Sequence, residues 1–149
     1  MALFSWARSV HVPSACDVEA GAKVADYLHA IPNGGRRNAR EAARLKRAGV
    51  LAGVSDIHLP LARAGFHGLW VELKPIVQKR PPGGGPVRAT YERKPEPSQR
   101  TWLDRMTQAG HLAVVCWGWE SARDTVWQYL NGQQTAAQRR QDRRIGGTT

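Results

Sequence analysis

Apolar residues recur along this chain in two rhythms, one helical and one strand-like. Leu3, Phe4 and Ala7 share one helical face within residues 2–10, and Val24, Ala25 and Leu28 do so within 17–30, with Pro13 between the two stretches. The sequence Ile31 to Gly35 (IPNGG) is a loop signal, with Pro, Asn and two Gly in succession. Asn38 with Glu41 resembles a capping box, so a helix is expected from about Ala39 to Ala48 with Gly49 at its C′ position. Ala42, Ala43 and Leu45 would form its inner face and the arginines its outer one. Two short apolar runs follow, Asp56 to Leu59 and Gly68 to Lys74, joined by an eight-residue connection, residues 60–67. Their β-branched and aromatic content predicts an antiparallel hairpin.

Segment 75–95 contains PPGGG (81–85) and is expected to be a mobile loop. Pro97 fits the first turn of a helix that ends at Gly110, with Trp102, Leu103 and Met106 on its apolar side. His111 to Trp117 is nearly unbroken in its apolar character, as a strand buried on both faces would be. Glu120 to Leu130 reads as a last helix, with Ala122, Val126, Tyr129 and Leu130 inward. The order of elements predicts an α/β fold, a small mixed sheet flanked by helices. A domain is expected over 1–131 and a disordered basic tail over 132–149.

At 149 residues the chain has room for one core. Two cysteines, Cys16 and Cys116, are too few for a disulfide framework or a structural zinc site and suit a reducing cytoplasm. No apolar run approaches the roughly 20 residues that span a bilayer. A soluble, cytoplasmic protein without a membrane partner is therefore expected.

Charge changes the picture. The formal net charge is +10, and it is uneven. Segment 36–47 sums to +5, segment 75–95 to +4 and 131–149 to +3, which leaves −2 for the rest. Such clusters bind phosphate backbones without reading sequence. A solvated helix face with solubilising tails is the plainer alternative.

The candidate chemistry lies in the predicted hairpin. Glu72 and Lys74 are two apart in a strand and leave the same face, while Val71 and Leu73 point the other way. Antiparallel pairing can bring Asp56 near Glu72, about 5 Å between Cβ atoms for directly opposed residues. Two hard carboxylates suit Mg²⁺ or Mn²⁺. A cation so held can activate water and stabilise charge on a phosphodiester, with Lys74 assisting. The same residues also fit a cross-strand salt bridge at a sheet edge, and on charges alone that plainer reading is the favoured one.

The flanking words narrow the choice. IPNGG (31–35), AARLKRAGVLAGVSDIHLP (42–60), GLWVELK (68–74), PSQRTWLDRM (97–106) and AGHLAVVCWGWESARDTVWQYL (109–130) occur in that order. The series resembles the VRR-NUC family, small nucleases of the PD-(D/E)XK superfamily, over about residues 29–130. The resemblance implies a restriction-endonuclease-like αβ core and metal-dependent hydrolysis of DNA. It implies that Asp56 and Glu72 are metal ligands, together with the backbone carbonyl of Leu73. Lys74 would be a catalytic residue, and Gln99 would stand near the site at the start of the following helix. Ser55 replaces the usual Pro before the Asp, and Glu96 replaces a usual Ser or Thr N-cap. Stand-alone members resemble structure-selective enzymes that act on branched DNA, including Holliday junctions, as homodimers.

In that family an N-terminal helix supplies a further acidic residue ahead of a segment like ALFSWA. Here Met1 directly precedes ALFSWA (2–7), and Glu19 is the candidate substitute. Asn33 and Gly34 match a family loop beside the substrate, or form a plain turn. Arg36, Arg37, Arg40, Arg44 and Lys46 are the expected phosphate contacts. Three function classes therefore stand: a DNA endonuclease on branched or duplex substrates, a nucleic-acid-binding module without turnover, and a binder of anionic membranes or acidic proteins.

Overall fold

The structure is a computed structural model, and it describes residues 2–32, 39–90 and 93–145. Helix α1 (Ala2–Ser9) opens the chain, and its Leu3 and Ala7, one turn apart, are fully buried. The short strand β1 (His29–Ala30) pairs antiparallel with β2 (Ile57–Leu59), which pairs antiparallel with β3 (Leu69–Lys74). Strand β6 (Leu112–Trp117) then lies parallel to β3, so the four-stranded sheet has the order β1-β2-β3-β6. A parallel neighbour needs a crossover. Here it comprises a separate hairpin of β4 (Val77–Lys79) and β5 (Arg88–Thr90), then helix α3 (Pro97–Gln108). Helices α4 (Gly118–Leu130) and α5 (Ala136–Ile145) complete the chain.

Strand periodicity sorts the sheet into two faces. Ile57, Leu59, Leu69, Val71, Leu112, Val114 and Cys116 point to one side. There they join Leu3 and Ala7 of α1, Val24 and Leu28, and Ala122, Val126, Tyr129 and Leu130 of α4 in one cluster. The other face carries Trp70, Glu72 and Lys74 of β3 and Ala113, Val115 and Trp117 of β6. Helix α3 covers this second face, with Leu103 buried against it and Trp102 edge-on to Trp70.

Four sequence expectations need correction. Residues 17–30 hold only one 3₁₀ turn, Val24–Asp26. The segment folds back on residues 10–12 instead, through Val24 N–H to Val10 O (2.9 Å) and Val12 N–H to Ala22 O (2.9 Å). The helical spacing of Val24 and Leu28 did place both in the core, but burial did not require a full helix.

Segment 75–95 is not simply a loop. Its Pro and Gly cluster makes the turn of the β4–β5 hairpin, with Gly83 and Gly84 at positive φ where side-chain-bearing residues are strained.

The tail holds a helix, α5, over Ala136–Ile145. Thr135 caps α5 by accepting the Gln138 N–H at 2.9 Å, and Thr135 and Ala137 are buried. The T-x-x-Q pattern at 135–138 was a readable helix start.

Finally, the basic helix α2 (Ala39–Arg47) forms where expected, but none of its residues is buried. Ala42 and Ala43 face solvent, and only Leu45 is half-covered.

Candidate active site

The β2–β3 register pairs Ile57 with Val71, so one step further sets Asp56 opposite Glu72. Asp56 is fixed there: its Oδ2 accepts the backbone N–H of Leu73 at 2.9 Å. Glu72 leaves β3 on the face covered by α3 and is fully buried. Lys74, two residues on, returns to the same face and brings Nζ to 3.1 Å from Glu72 Oε1.

Gln99, in the first turn of α3, locks the group. Its Oε1 accepts both the Glu96 backbone N–H (2.8 Å) and Lys74 Nζ (2.7 Å). Its amide nitrogen donates to Glu72 Oε1. The glutamine is thus tied to the helix terminus on one side and to both functional side chains on the other. Both amide atoms are therefore assigned by the network.

Helix α3 can approach this closely because of Gly53. A Cβ there would lie 2.4 Å from the Ser98 backbone carbonyl, and its φ of +84° disfavours other residues. Gly53 was not singled out from the sequence, and its only signal was its place three residues before Asp56.

Glu72 is the electrostatic centre of the site. Burial, then the neighbouring Asp56 carboxylate, push its pKa up to about 7, while Lys74 pulls in the opposite sense. One carboxylate oxygen, Oε2, is buried with no hydrogen-bond partner. Buried polar atoms left unpaired are uncommon and costly. An orphan oxygen on a buried acid beside a second carboxylate is the donor set that a hard divalent cation satisfies. The residues present therefore fit such an ion. Among the described residues, no group of three or more His, Cys, Asp or Glu side chains converges to hold a metal. A cation here would depend on two carboxylates, with backbone and water oxygens completing its shell.

Glu19 is not joined to this group. It is exposed and accepts a hydrogen bond from the Tyr27 hydroxyl, which lowers its pKa. Of the expected phosphate contacts, Arg40, Arg44 and Lys46 lie exposed on α2. Arg40 and Arg44 share a shallow basic cleft with Glu41 and Arg47. Asn33, Gly34, Arg36 and Arg37 lie outside the described residues.

A row of rings flanks the acids on the same face. His29, His58 and Trp70 are successive partners across β1, β2 and β3. His58 stacks on Trp70 with centroids 3.9 Å apart. Burial, with His29 and His111 nearby, lowers the His58 pKa to about 4, so the ring is neutral at neutral pH. Its Nε2 is buried without a hydrogen-bond partner.

The four-stranded mixed sheet thus carries an acid before β2, an acid and a lysine on β3 and a glutamine opening α3, within an α/β fold. A solved structure described as "VRR_NUC domain protein" has the same fold. It superposes with a TM-score of 0.65 over 89% of this chain and 84% of its own, at 24% sequence identity. No family model matches the sequence, and no curated protein matches it. The chain therefore has a VRR-NUC-like fold. Among the described residues, no helix is long and apolar enough to cross a membrane.

Proposed function

We propose that the protein is a divalent-metal-dependent deoxyribonuclease that hydrolyses phosphodiester bonds, with branched DNA as its preferred substrate. The observation that carries this reading is the convergence of Asp56, Glu72, Lys74 and Gln99, with a buried, unpartnered carboxylate oxygen at its centre. Asp56, Glu72 and the Leu73 carbonyl would hold Mg²⁺ or Mn²⁺. That ion would supply Lewis-acid stabilisation of charge on the phosphodiester.

The chain's own residues do the rest. Lys74 Nζ, oriented by Gln99 and Glu72, presents an ammonium to the face where the scissile phosphate would lie. It can stabilise the developing oxyanion or position the attacking water. Gln99 keeps the Lys74 and Glu72 side chains in place, so little reorganisation is needed at the moment of reaction. The cationic side chains of α2 would draw in and position the DNA backbone, adding affinity but no sequence preference. On a four-way junction, a homodimer would present one such site to each of two scissile strands.

A second reading is a DNA-binding module that turns over poorly. The convergence of only two carboxylates among the described residues favours it.

One experiment separates the two. Labelled four-way junction, flap, duplex and single-stranded DNA are incubated with the protein in Mg²⁺, Mn²⁺ or EDTA, beside Lys74→Ala. Metal-dependent cleavage that Lys74→Ala abolishes, strongest on the junction or flap, is the expected result. Salt-sensitive binding with no cleavage in either metal would leave the binding module standing and overturn the nuclease.

A further inference from the structure

A second cavity lies on the same sheet face as the acids, on the far side of β3. Its floor is Ala113, Val115 and Trp117 of β6, which alternate toward it, with Leu103 of α3. One wall is the Arg100–Asp104 face of α3, the other is Ala137 and Arg140 of α5, and Lys94 and Pro95 close one side. Its volume is about 250 Å³. That is near the lower bound of small-ligand sites, roughly 300 Å³, so the occupant is small.

Its position ties it to the acids. Val115 is the register partner of Glu72, and Trp117 is that of Lys74. Adjacent strands lie about 4.8 Å apart, so the floor begins one strand from the acid and the lysine. Arg100, on the wall, directly follows Gln99 in α3.

The lining has two chemistries. Small apolar side chains and an indole make a floor suited to a planar ring. Three cations, Lys94, Arg100 and Arg140, surround it with a single carboxylate, Asp104. Among the described residues, no ion pair neutralises these four side chains. A planar apolar floor with an excess of cations fits a ring that carries a phosphate. Asp104 can accept a hydrogen bond from an exocyclic amine, the group that cytosine, adenine and guanine present and thymine lacks.

We propose that this cavity binds one unstacked nucleotide of the DNA substrate, preferably one bearing an exocyclic amine. The inference rests on the nuclease reading and deepens it. A branched or flapped substrate offers unpaired nucleotides at its discontinuity, where the cost of extruding a base is lowest. The cavity would capture such a nucleotide beside the acids, and so favour branched DNA over continuous duplex.

The test uses the full chain in EDTA, with binding of dCMP, dAMP, dTMP and inorganic phosphate followed by NMR. The expected result is saturable dCMP or dAMP binding that perturbs the Trp117 indole and the Ala113 and Ala137 methyls. Affinity should fall at least tenfold in Arg100→Glu and in Arg140→Glu, which alter exposed side chains. It should also fall severalfold for dTMP and in Asp104→Ala.

No saturable nucleotide binding would overturn the proposal. So would equal responses to inorganic phosphate, or shifts confined to the Asp56 and Glu72 strands. Because EDTA is present, the result does not depend on cleavage. Nucleotide binding without nuclease activity would retain the pocket and refute the nuclease. Cleavage without nucleotide binding would do the reverse.

Discussion

Replacing Glu72 with glutamine should make the protein more stable and inactive at once. The side chain is fully buried, and its pKa is raised from 4.5 to about 7 by burial and by Asp56. Between those two values the folded chain holds a proton that the unfolded chain has released. Stability therefore falls as pH rises through that window. A displacement of this size corresponds to about 3 kcal/mol, at about 1.4 kcal/mol per pKa unit. That cost is fully present above pH 7 and absent well below pH 4.5.

Glutamine keeps the shape and removes the charge. Its amide must be accommodated by Gln99 Nε2 and Lys74 Nζ, both of which now donate to Glu72 Oε1. A glutamine oxygen placed at Oε1 can still accept from both donors. Allowing about 1 kcal/mol for the weaker, neutral hydrogen bonds leaves a gain of about 2 kcal/mol at pH 8. For a chain of this size that raises Tm by about 4–8 °C. Thermal unfolding in EDTA at pH 8 and pH 4.5 measures the gain directly. A Glu72→Gln protein that is no more stable than wild type at pH 8, or whose advantage is the same at both pH values, would refute the account of Glu72 as a strained buried acid. Adding Mn²⁺ should raise the Tm of wild type at pH 8 and leave that of Glu72→Gln nearly unchanged, since a ligand stabilises only the state that binds it.

Three further outcomes follow from other parts of the structure. Gly53→Ala places a Cβ 2.4 Å from the Ser98 carbonyl and should displace the start of α3. Urea unfolding should show a loss of about 2 kcal/mol or more, with reduced cleavage as Gln99 moves. Arg40→Ala and Arg44→Ala remove exposed cations from a helix with no buried residue. Each should leave Tm unchanged within error, weaken all DNA substrates alike and reduce the salt dependence of binding by about one ion, as read by fluorescence anisotropy. Truncation after Gln134 removes the buried Thr135 and Ala137 and uncovers part of β6. Calorimetry should show a lower Tm, whereas a disordered tail would be lost without effect.

The sequence by itself determined the elements whose own side chains define them. Alternation around Glu72 set β3, the apolar run set β6, and Pro97 and Gly110 bounded α3. The Asp56 to Glu72 pairing was legible too. It depends only on two strands joined by a short connection, and their register is fixed by burying Ile57 and Val71 together. The resemblance over residues 29–130 also named Gln99, which composition and spacing would have left as one polar residue among several.

Only the tertiary structure decided the rest. Glu72 is unusual because α3 lies over it, and nothing local to β3 encodes that cover. The Pro- and Gly-rich segment 75–95 reads as a loop because two marginal strands flank it, and such strands become visible only when paired. The tail reads as disordered because it is polar throughout. One cap and one buried alanine are nevertheless enough to seat α5 against β6. The cavity between α3 and α5 shows the limit most clearly. Lys94, Arg100, Val115, Trp117 and Arg140 are scattered along the chain, and their convergence exists only where three elements meet. Local pattern fixes which face of an element is apolar, but the partner that covers the face is set by long-range packing.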